Sequence, residues 1–462
     1  MAKILNKFIG TKDFYKRVLV LMIPIMIQTG ITNLVNMLDN IMVGRVGTAE
    51  MTGVAVSNQL FFVFNLCIFG AVSGAGIFGA QFFGNGDNKG VRDTFRFKVI
   101  FTTLLTVVST LLFIFFGEKL IILYLKGEGS PEEIASALKF AREYMLIMLI
   151  GILPYALSQC YSSTLRETGE ATLPMYAGVS AVFVNLILNY VLIFGHFGAP
   201  TLGVRGAAIA TVVSRFVELF IVAVVSHANR QKNAFLIGAY KSLHVPKTLV
   251  FDIFKKGLPL MLNETLWSAG IAILNQSYSL RGYDVVSASN ISQTFYNVFS
   301  TAFMAVGVAI GIIIGQMLGS GETEKAYDSA RKLIAFSVFV SIIVGGSYFV
   351  ASGYIPLIYN TTDEVRHLAT ALMRVVAIVM PLHASAHASY FTLRSGGQVF
   401  VTFLFDSCFV WVINVPVVLI ICHFTAIPII PLFAISEGLN LLKSLIGFWF
   451  FKRKIWIRNI VK

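Results

Sequence analysis

Long apolar runs recur along the whole chain, and short polar stretches separate them. A helix needs about 20 apolar residues to cross the hydrocarbon core of a bilayer. The first run is too long for the core of a signal peptide and has no small-residue cleavage site, so we interpret it as the first helix. Twelve membrane-spanning helices are predicted, over residues 17–43, 50–83, 92–117, 131–166, 170–195, 204–229, 250–280, 284–318, 326–352, 364–394, 398–423 and 427–451.

Composition supports this pattern and excludes a soluble globular protein. Hydrophobic residues make up 56% of the chain, charged residues 13%, and the mean hydropathy is +0.77. The four cysteines stand singly in apolar runs, which predicts reduced packing residues and no disulfide framework. The predicted fold class is an all-α polytopic membrane protein.

The net charge of +13 does not indicate a nucleic-acid partner, because the basic residues lie at the ends of the apolar runs. Lys and Arg concentrate in cytoplasmic segments of membrane proteins. The clearest clusters are residues 3–17, 89–98, 230–256 and 452–462. We therefore predict a multi-pass protein of the cell membrane with both termini in the cytoplasm, with the lipid bilayer as its partner.

The two halves of the chain repeat each other. Pro24, Gly47 and Gly76 match Pro259, Gly282 and Gly311 at one constant separation, which also aligns AQFFGNGDNKG (80–90) with GQMLGSGETEK (315–325). STLRETG (163–169) likewise matches FTLRSGG (391–397). Six helices in each half give both halves the same orientation, a parallel repeat typical of transporters. The predicted parts are an N-terminal lobe (1–229), a cytoplasmic linker that enters helix 7 (230–256) and a C-terminal lobe (257–462).

The glycine-rich GNGDNKG is interpreted as a tight turn. It lacks the GK[ST] ending of a phosphate-binding loop and follows a membrane helix, where no strand is expected. No motif indicates ATP hydrolysis. Energy is therefore expected from an ion gradient or from the gradient of the substrate itself, and no cofactor is expected.

The chain resembles the multidrug and toxic compound extrusion (MATE) family. The resemblance rests on Pro24 to Gly47 with its embedded Asp39, on VGTAEMTGVAVSNQ, on GAQFFGNGD and its partner GQMLGSGE, on LRETG, and on NLILNY (185–190). It implies two six-helix bundles that form a V around a central cavity. The implied activity is antiport, which exports lipophilic organic cations against inward H+ or Na+. By analogy we expect a monomer in a bacterial inner membrane.

Ionisable residues inside a membrane are functional candidates. The resemblance makes Asp39 of helix 1 the ion-coupling acid of the first lobe. It also makes Asn185 and Asn189 of helix 5 its polar partners. These two amides lie one helical turn apart and face the same way. They can ligate Na+ through carbonyl oxygens or bond a protonated acid, so H+ and Na+ both stay open. A buried structural carboxyl group is the alternative for Asp39.

Glu264 is the acid of the second half. It follows Pro259 by five residues, and its counterpart in the first half is Thr29. In several branches of the family, a Glu on helix 7 takes part in ion or cation binding. Burial favours the neutral form of a carboxyl group, so Glu264 is predicted to exchange a proton or to attract an organic cation. A structural hydrogen bond is the alternative.

His383 departs from the family pattern, since branches with a Glu on helix 7 often carry an Asp at this position of helix 10. His387 follows one turn later on the same face. Histidine titrates near neutral pH and ligates Na+ poorly, which favours H+ in the second half. The pair has the i, i+4 spacing of metal ligands but no third ligand nearby, so no metal site is predicted.

Other polar and aromatic residues are secondary or structural. The secondary candidates for ion or substrate contacts are Asn36, Gln28, Thr211, His387, Tyr155 and Trp267. Five other charged residues that we expect to be buried within the spans are interpreted as mainly structural: Arg215, Glu218, Asp406, Glu437 and Lys443.

The sequence favours three other functions less. A flippase for a lipid-linked anionic cargo would need several basic residues at mid-membrane. We expect Arg215 and Lys443 as the candidates inside the spans, and neither has a clearly central position. A membrane enzyme would need a nucleophile, a base and a metal cluster that converge on one site. A channel is disfavoured by the two-lobe repeat. The leading prediction is therefore an ion-coupled exporter of small organic cations, with the flippase as its alternative.

Overall fold

The computed structural model describes residues 7–125 and 130–461, and these residues form helices and no strands. Twelve helices in this part of the chain are long and apolar enough to cross a membrane, which confirms the predicted fold class and number. They are α1 Lys12–Gly44, α2 Thr48–Gly84, α3 Asn88–Leu125, α4 Pro131–Glu167, α5 Thr172–Phe194, α6 Val204–Ala228, α7 Lys247–Ser279, α8 in two segments (α8a Tyr283–Phe299 and α8b Thr301–Gly319), α9 Thr323–Ala351, α10 Asp363–Ser395, α11 Val399–Phe424, and α12 in two segments (α12a Ile429–Gly438 and α12b Asn440–Lys452). Three short 3-10 turns lie between helices, at His196–Gly198, Ala234–Leu236 and Ile355–Ile358.

Three helices of the second half are irregular, although the apolar pattern predicts each as one continuous helix. Helix α8 is interrupted at Ser300 and α12 at Leu439, while α11 contains the π-helical turns Leu404–Cys408 and Val410–Asn414. Polar side chains bond to backbone carbonyls at both interruptions. Thr301 Oγ1 donates to Val298 O at 2.6 Å, and Asn440 Nδ2 donates to Glu437 O at 3.0 Å. Side chains that bond to backbone carbonyls compete with the hydrogen bonds of the helix. The spacing of hydrophobic residues does not reveal this competition.

The repeated glycine motifs end helices in the same way, which confirms the tight turn predicted for GNGDNKG. Gly86 has φ +74° and its repeat partner Gly321 has φ +81°. After Gly86, the amide of Asp87 donates to Phe82 O at 2.9 Å, and after Gly321 the amide of Glu322 donates to Met317 O at 3.0 Å. This is the hydrogen bond of a helix end closed by a left-handed glycine. The two halves are therefore similar in the structure of this turn as well as in sequence.

The chain divides into two compact units. Unit 1 comprises Met1–Met26, Ala80–Asp87 and Leu262–Lys462, and its core contains Ala288, Phe303, Leu372, Met373 and Leu432. Unit 2 comprises Ile27–Gly79 and Asn88–Met261, and its buried residues include Phe95, Met148, Ile152 and Leu165. Helices α1, α2 and α7 contribute residues to both units.

Candidate functional site

Asp39 of α1 lies against two amides of α5 within unit 2. Asn189 Nδ2 donates to Asp39 Oδ1 at 2.7 Å. The side-chain amide of Asn185 makes matching hydrogen bonds when its nitrogen faces the same carboxylate. In this orientation Asn185 Nδ2 donates to Asp39 Oδ2 at 2.9 Å. In that orientation the carbonyl oxygen of Asn185 accepts from Thr211 Oγ1 of α6 at 3.3 Å. One acid, two amides and one hydroxyl from three helices thus form one polar cluster.

The sequence spacing explains the geometry on α5. Asn185 and Asn189 are one helical turn apart, so both side chains face α1 and α6. Both are buried, while Asp39 is half-buried. The side-chain oxygen of Asn189 has no hydrogen-bond partner among the residues that the structure describes. A buried acceptor beside a carboxylate can serve as a ligand for a cation.

Three secondary candidates of unit 2 have other surroundings. Gln28 accepts a hydrogen bond from Arg166 at 2.6 Å, and Asn36 is exposed. The guanidinium of Arg215 lies 5.0 Å from the centre of the Tyr155 ring. This face of Tyr155 is therefore already in contact with a cation of the protein itself.

Glu264 of α7 lies at the edge of a polar network in unit 1. Its carboxylate accepts a hydrogen bond from the Tyr390 hydroxyl at 3.3 Å. Asn263, the residue before it, donates to Asp406 at 2.9 Å, and Lys443 donates to the other oxygen of Asp406 at 2.5 Å. The network joins α7, α10, α11 and α12b, and Asp406 lies within a π-helical turn, a feature frequent at functional sites.

The two histidines of α10 have different partners. His383 Nε2 lies 2.9 Å from Glu437 Oε2, and its Nδ1 lies 3.1 Å from the Tyr296 hydroxyl. The ring of His387 contacts that of Phe391, with ring centres 4.9 Å apart. Glu437, which sequence analysis interpreted as mainly structural, thus bonds directly to a predicted site residue. No sequence signal joins these two residues, which lie on separate helices.

The last secondary candidate, Trp267, is 39% exposed. Within residues 7–125 and 130–461, no three or more His, Cys, Asp or Glu side chains are grouped so that they could hold a metal ion.

A model of the MatE family matches residues 24–191 and 259–420, and so covers most of both halves of the chain. Among curated proteins, the chain is similar to the probable multidrug resistance protein NorM of Thermotoga maritima, with 25% identity over 419 residues that cover 89% of this chain and 86% of the relative. It is also similar to the probable multidrug resistance protein YoeA of Bacillus subtilis, with 23% identity over 415 residues that cover 88% and 87% of the two chains.

A solved structure described as the outward-facing conformation of a multidrug resistance MATE family transporter of the MOP superfamily matches with a TM-score of 0.87. The match covers 97% of each chain at 19% identity, and it shows the fold. Together with the twelve apolar helices, these relatives show a multi-pass membrane protein. The match of the family model to both halves of the repeat establishes that the chain belongs to the MatE family of membrane transporters.

Proposed function

We propose that this transporter is an antiporter that exports lipophilic organic cations in exchange for inward H+ or Na+. As a member of the MatE family it is a transporter and not an enzyme, and such transporters need no cofactor. The names of the relatives from Thermotoga maritima and Bacillus subtilis, both probable multidrug resistance proteins, support drugs and toxic compounds as cargo.

The observation that carries the proposal is the charge balance at Asp39. Its described partners are neutral amides, and no Lys or Arg of the described chain lies within ion-pair distance of its carboxylate. A carboxylate in a membrane helix without a permanent counter-ion is costly. A bound proton or Na+ would neutralise it, and the buried oxygen of Asn189 would serve as a further Na+ ligand.

Ion binding at this cluster would then drive the exchange. An ion can shift a transporter between two states only by the difference in its affinity for them. Asp39 would bind the ion in the outward-open state and release it in the inward-open state. In this scheme the lobes predicted over 1–229 and 257–462 move so that the binding site opens alternately to each side of the membrane. The transporter acts as a monomer in the cell membrane, with both termini in the cytoplasm.

The flippase alternative finds less support. An anionic cargo needs basic side chains that are available to it. Lys98 instead bonds to Glu167 at 2.7 Å, Arg215 stacks on Tyr155, and Lys443 bonds to Asp406. These buried basic residues are already engaged by groups of the protein.

The test is transport of a fluorescent organic cation by the purified protein in proteoliposomes. A pH gradient and a Na+ gradient are imposed separately on the wild type, on Asp39→Asn and on Asp252→Asn, a matched change at an exposed aspartate of unit 2. One gradient is expected to drive transport in the wild type and in Asp252→Asn but not in Asp39→Asn. Failure of both gradients in the wild type would refute the antiporter proposal.

A further inference from the structure

A second acidic centre lies in unit 1, where α8a, α10 and α12 meet. The imidazole of His383 bridges the carboxylate of Glu437, at 2.9 Å, and the hydroxyl of Tyr296, at 3.1 Å. Asn440 Nδ2 adds a bond to the same carboxylate oxygen at 3.4 Å. The side chains of His383 and Glu437 are 17% and 20% exposed, so most of each is covered by the protein.

The charge of Glu437 has no permanent counter-ion. In the part of the chain that the structure describes, its ion-pair partner is His383, which is charged only when protonated. The nearest Lys on the same helix, Lys443, bonds to Asp406 at 2.5 Å and forms a neutral pair of its own. One proton shared between His383 and Glu437 therefore leaves the pair neutral, and its loss leaves one net negative charge.

The two phenols beside the pair do not supply a positive charge in place of that proton. Tyr278 and Tyr296 have phenol side chains that are ordinarily neutral near physiological pH. α8b carries no titratable residue. The titratable groups shown beside the pair are Tyr278 on α7 and Tyr296 on α8a. Among the other titratable groups of unit 1, Tyr348 of α9 bonds to Ser292, His387 of α10 packs on Phe391, and Asp406 of α11 pairs with Lys443 of α12b.

A proline and two helix interruptions lie near the pair. Pro381 lies inside α10 two residues before His383, and α12 is interrupted at Leu439 two residues after Glu437. α8 is interrupted at Ser300, one turn after Tyr296. Irregular backbone within a membrane is tolerated where it is buried in protein or lines a cavity, and broken helices form the binding sites of many transporters. The pair thus lies close in sequence or contact to a proline of α10 and to the interruptions of α8 and α12.

We propose that His383 and Glu437 form a proton-binding site of unit 1 that exchanges one H+ for one organic cation. With the proton bound, the pair is neutral and has no electrostatic attraction for a cation. When the proton leaves to water, the remaining negative charge binds the cation in its place. The inference rests on the proposed antiport and adds to it a carboxylate on α12 that acts through the histidine of α10.

The first test measures proton release on cation binding. Tetraphenylphosphonium is added to the purified protein in weakly buffered detergent solution with a pH-indicator dye, and its binding is measured in parallel by equilibrium dialysis. All proteins in this test carry Asp39→Asn, so that Asp39 of unit 2 cannot contribute a released proton. About one proton per bound cation is expected, because the neutral pair holds one proton and the cation takes its place. Glu437→Gln and His383→Gln should each abolish the release, whereas Glu364→Gln, at an exposed acid in the first turn of α10, should leave it unchanged.

The outcomes separate this inference from the proposed function. Cation binding with unchanged proton release in Glu437→Gln or His383→Gln would overturn the inference and leave the antiporter intact. The swapped double variant His383→Glu/Glu437→His keeps both groups and should restore the release. A merely structural ion pair would recover stability in this variant but would show no release in any background.

A second measurement needs no substrate. Infrared difference spectra of the purified protein are recorded between about pH 5 and pH 8, the range in which histidine titrates. Because the proton is shared, either single substitution should remove the imidazole and carboxyl bands of the pair together. Bands that disappear one at a time would overturn the inference, even if the wild type binds no tetraphenylphosphonium and the antiport proposal fails.

Discussion

Gly84 and Gly319, equivalent glycines of the repeat, pack reciprocally on each other's helices within unit 1. A Cβ atom on Gly84 would lie 1.9 Å from the backbone oxygen of Gln316, and one on Gly319 would lie 1.9 Å from that of Gln81. The ends of α2 and α8b thus approach backbone to backbone. Close approach of this kind requires a residue without a side chain.

The first prediction is that Gly84→Ala and Gly319→Ala each lower the melting temperature. The added methyl group overlaps a backbone atom, which cannot rotate away, so the two helix ends must separate. Overpacking of this kind costs about 1–3 kcal/mol. Thermal unfolding in detergent, followed by tryptophan fluorescence, gives the difference.

Gly346→Ala is the control for this prediction, because an added Cβ at this helical position of α9 meets nothing within 4 Å. It should not destabilise the protein. The double variant Gly84→Ala/Gly319→Ala should cost less than the sum of the single changes, since both act on one contact. Equal melting temperatures for Gly84→Ala and Gly346→Ala would show that the close approach is absent.

The second prediction concerns the buried ion pair between α3 and α4 in unit 2. Lys98 is fully buried and lies 2.7 Å from Glu167, with further bonds to Ser163 at 3.2 Å and Thr164 at 3.0 Å. Removal of one member leaves an uncompensated buried charge, which costs about 3–5 kcal/mol. Lys98→Leu and Glu167→Ser should therefore each lower the melting temperature strongly.

The repeat itself supplies the matched variant. By the two repeat alignments, Leu333 and Ser395 occupy the positions of Lys98 and Glu167, and both are buried. The double variant Lys98→Leu/Glu167→Ser introduces the residues of the second half at both positions. It should recover most of the stability lost in the single variants, since neither charge of the pair stays buried. A double variant as unstable as the sum of the single ones would show that the pair is not coupled.

Much of the fold is predictable from the sequence because it depends on local properties. Helix length and apolarity alone predict the twelve spans, and the repeated motifs predict the turns at Gly86 and Gly321. The spacing of Asn185 and Asn189 places both amides on one face of α5. Only the resemblance to a family suggested Asp39 as their partner, because spacing on one helix does not identify the helix beside it.

The side-chain contacts of the polar network in unit 1 are not predictable from the sequence, for a physical reason. Asp406 of α11 forms an ion pair with Lys443 of α12, and His383 of α10 lies against Glu437 of the same α12. Such contacts depend on how each helix is rotated about its axis, and a nearly uniform apolar sequence carries little information about rotation. The interruption at Leu439, close to Glu437, changes that rotation locally.

The third prediction is that Glu264→Gln weakens the binding of an organic cation by about tenfold or more, equivalent to about 1.4 kcal/mol. In this prediction the ionised carboxylate of Glu264 would attract a cation directly, and the low dielectric of the membrane interior would strengthen this attraction. Equilibrium dialysis with tetraphenylphosphonium gives the dissociation constant.

Two variants separate a binding role of Glu264 from a structural one. Tyr390→Phe removes the 3.3 Å hydrogen bond but keeps the charge, so it should change the dissociation constant little. Glu324→Gln, at an exposed acid of unit 1, should leave the constant unchanged. If Tyr390→Phe impairs binding and stability as much as Glu264→Gln does, the hydrogen bond rather than the charge is what matters.

The fourth prediction concerns the pH dependence of stability at Glu170, in the connection between α4 and α5. One carboxylate oxygen bonds to Lys232, and the other accepts from the amides of Thr172 at 3.2 Å and Leu173 at 3.4 Å. Burial raises the pKa of Glu170, but the bond and charge of Lys232 and the two amides outweigh it and hold the pKa below the ordinary value of 4.5.

A carboxyl group with a lowered pKa in the folded state stabilises the protein above its unfolded pKa, and this contribution is lost as the pH falls through the folded value. Glu170→Gln should therefore lower the melting temperature slightly at pH 7, because Lys232 is 69% exposed and a surface ion pair contributes at most about 1 kcal/mol. The difference from the wild type should shrink as the pH falls below 4.5. Lys232 lies in the connection between α6 and α7, and Lys232→Met should reproduce part of the loss at pH 7. Lys241→Met, at an exposed lysine of that connection, should not. A difference between Glu170→Gln and the wild type that stays constant down to the lowest pH at which the protein is folded would contradict the role of this ion pair.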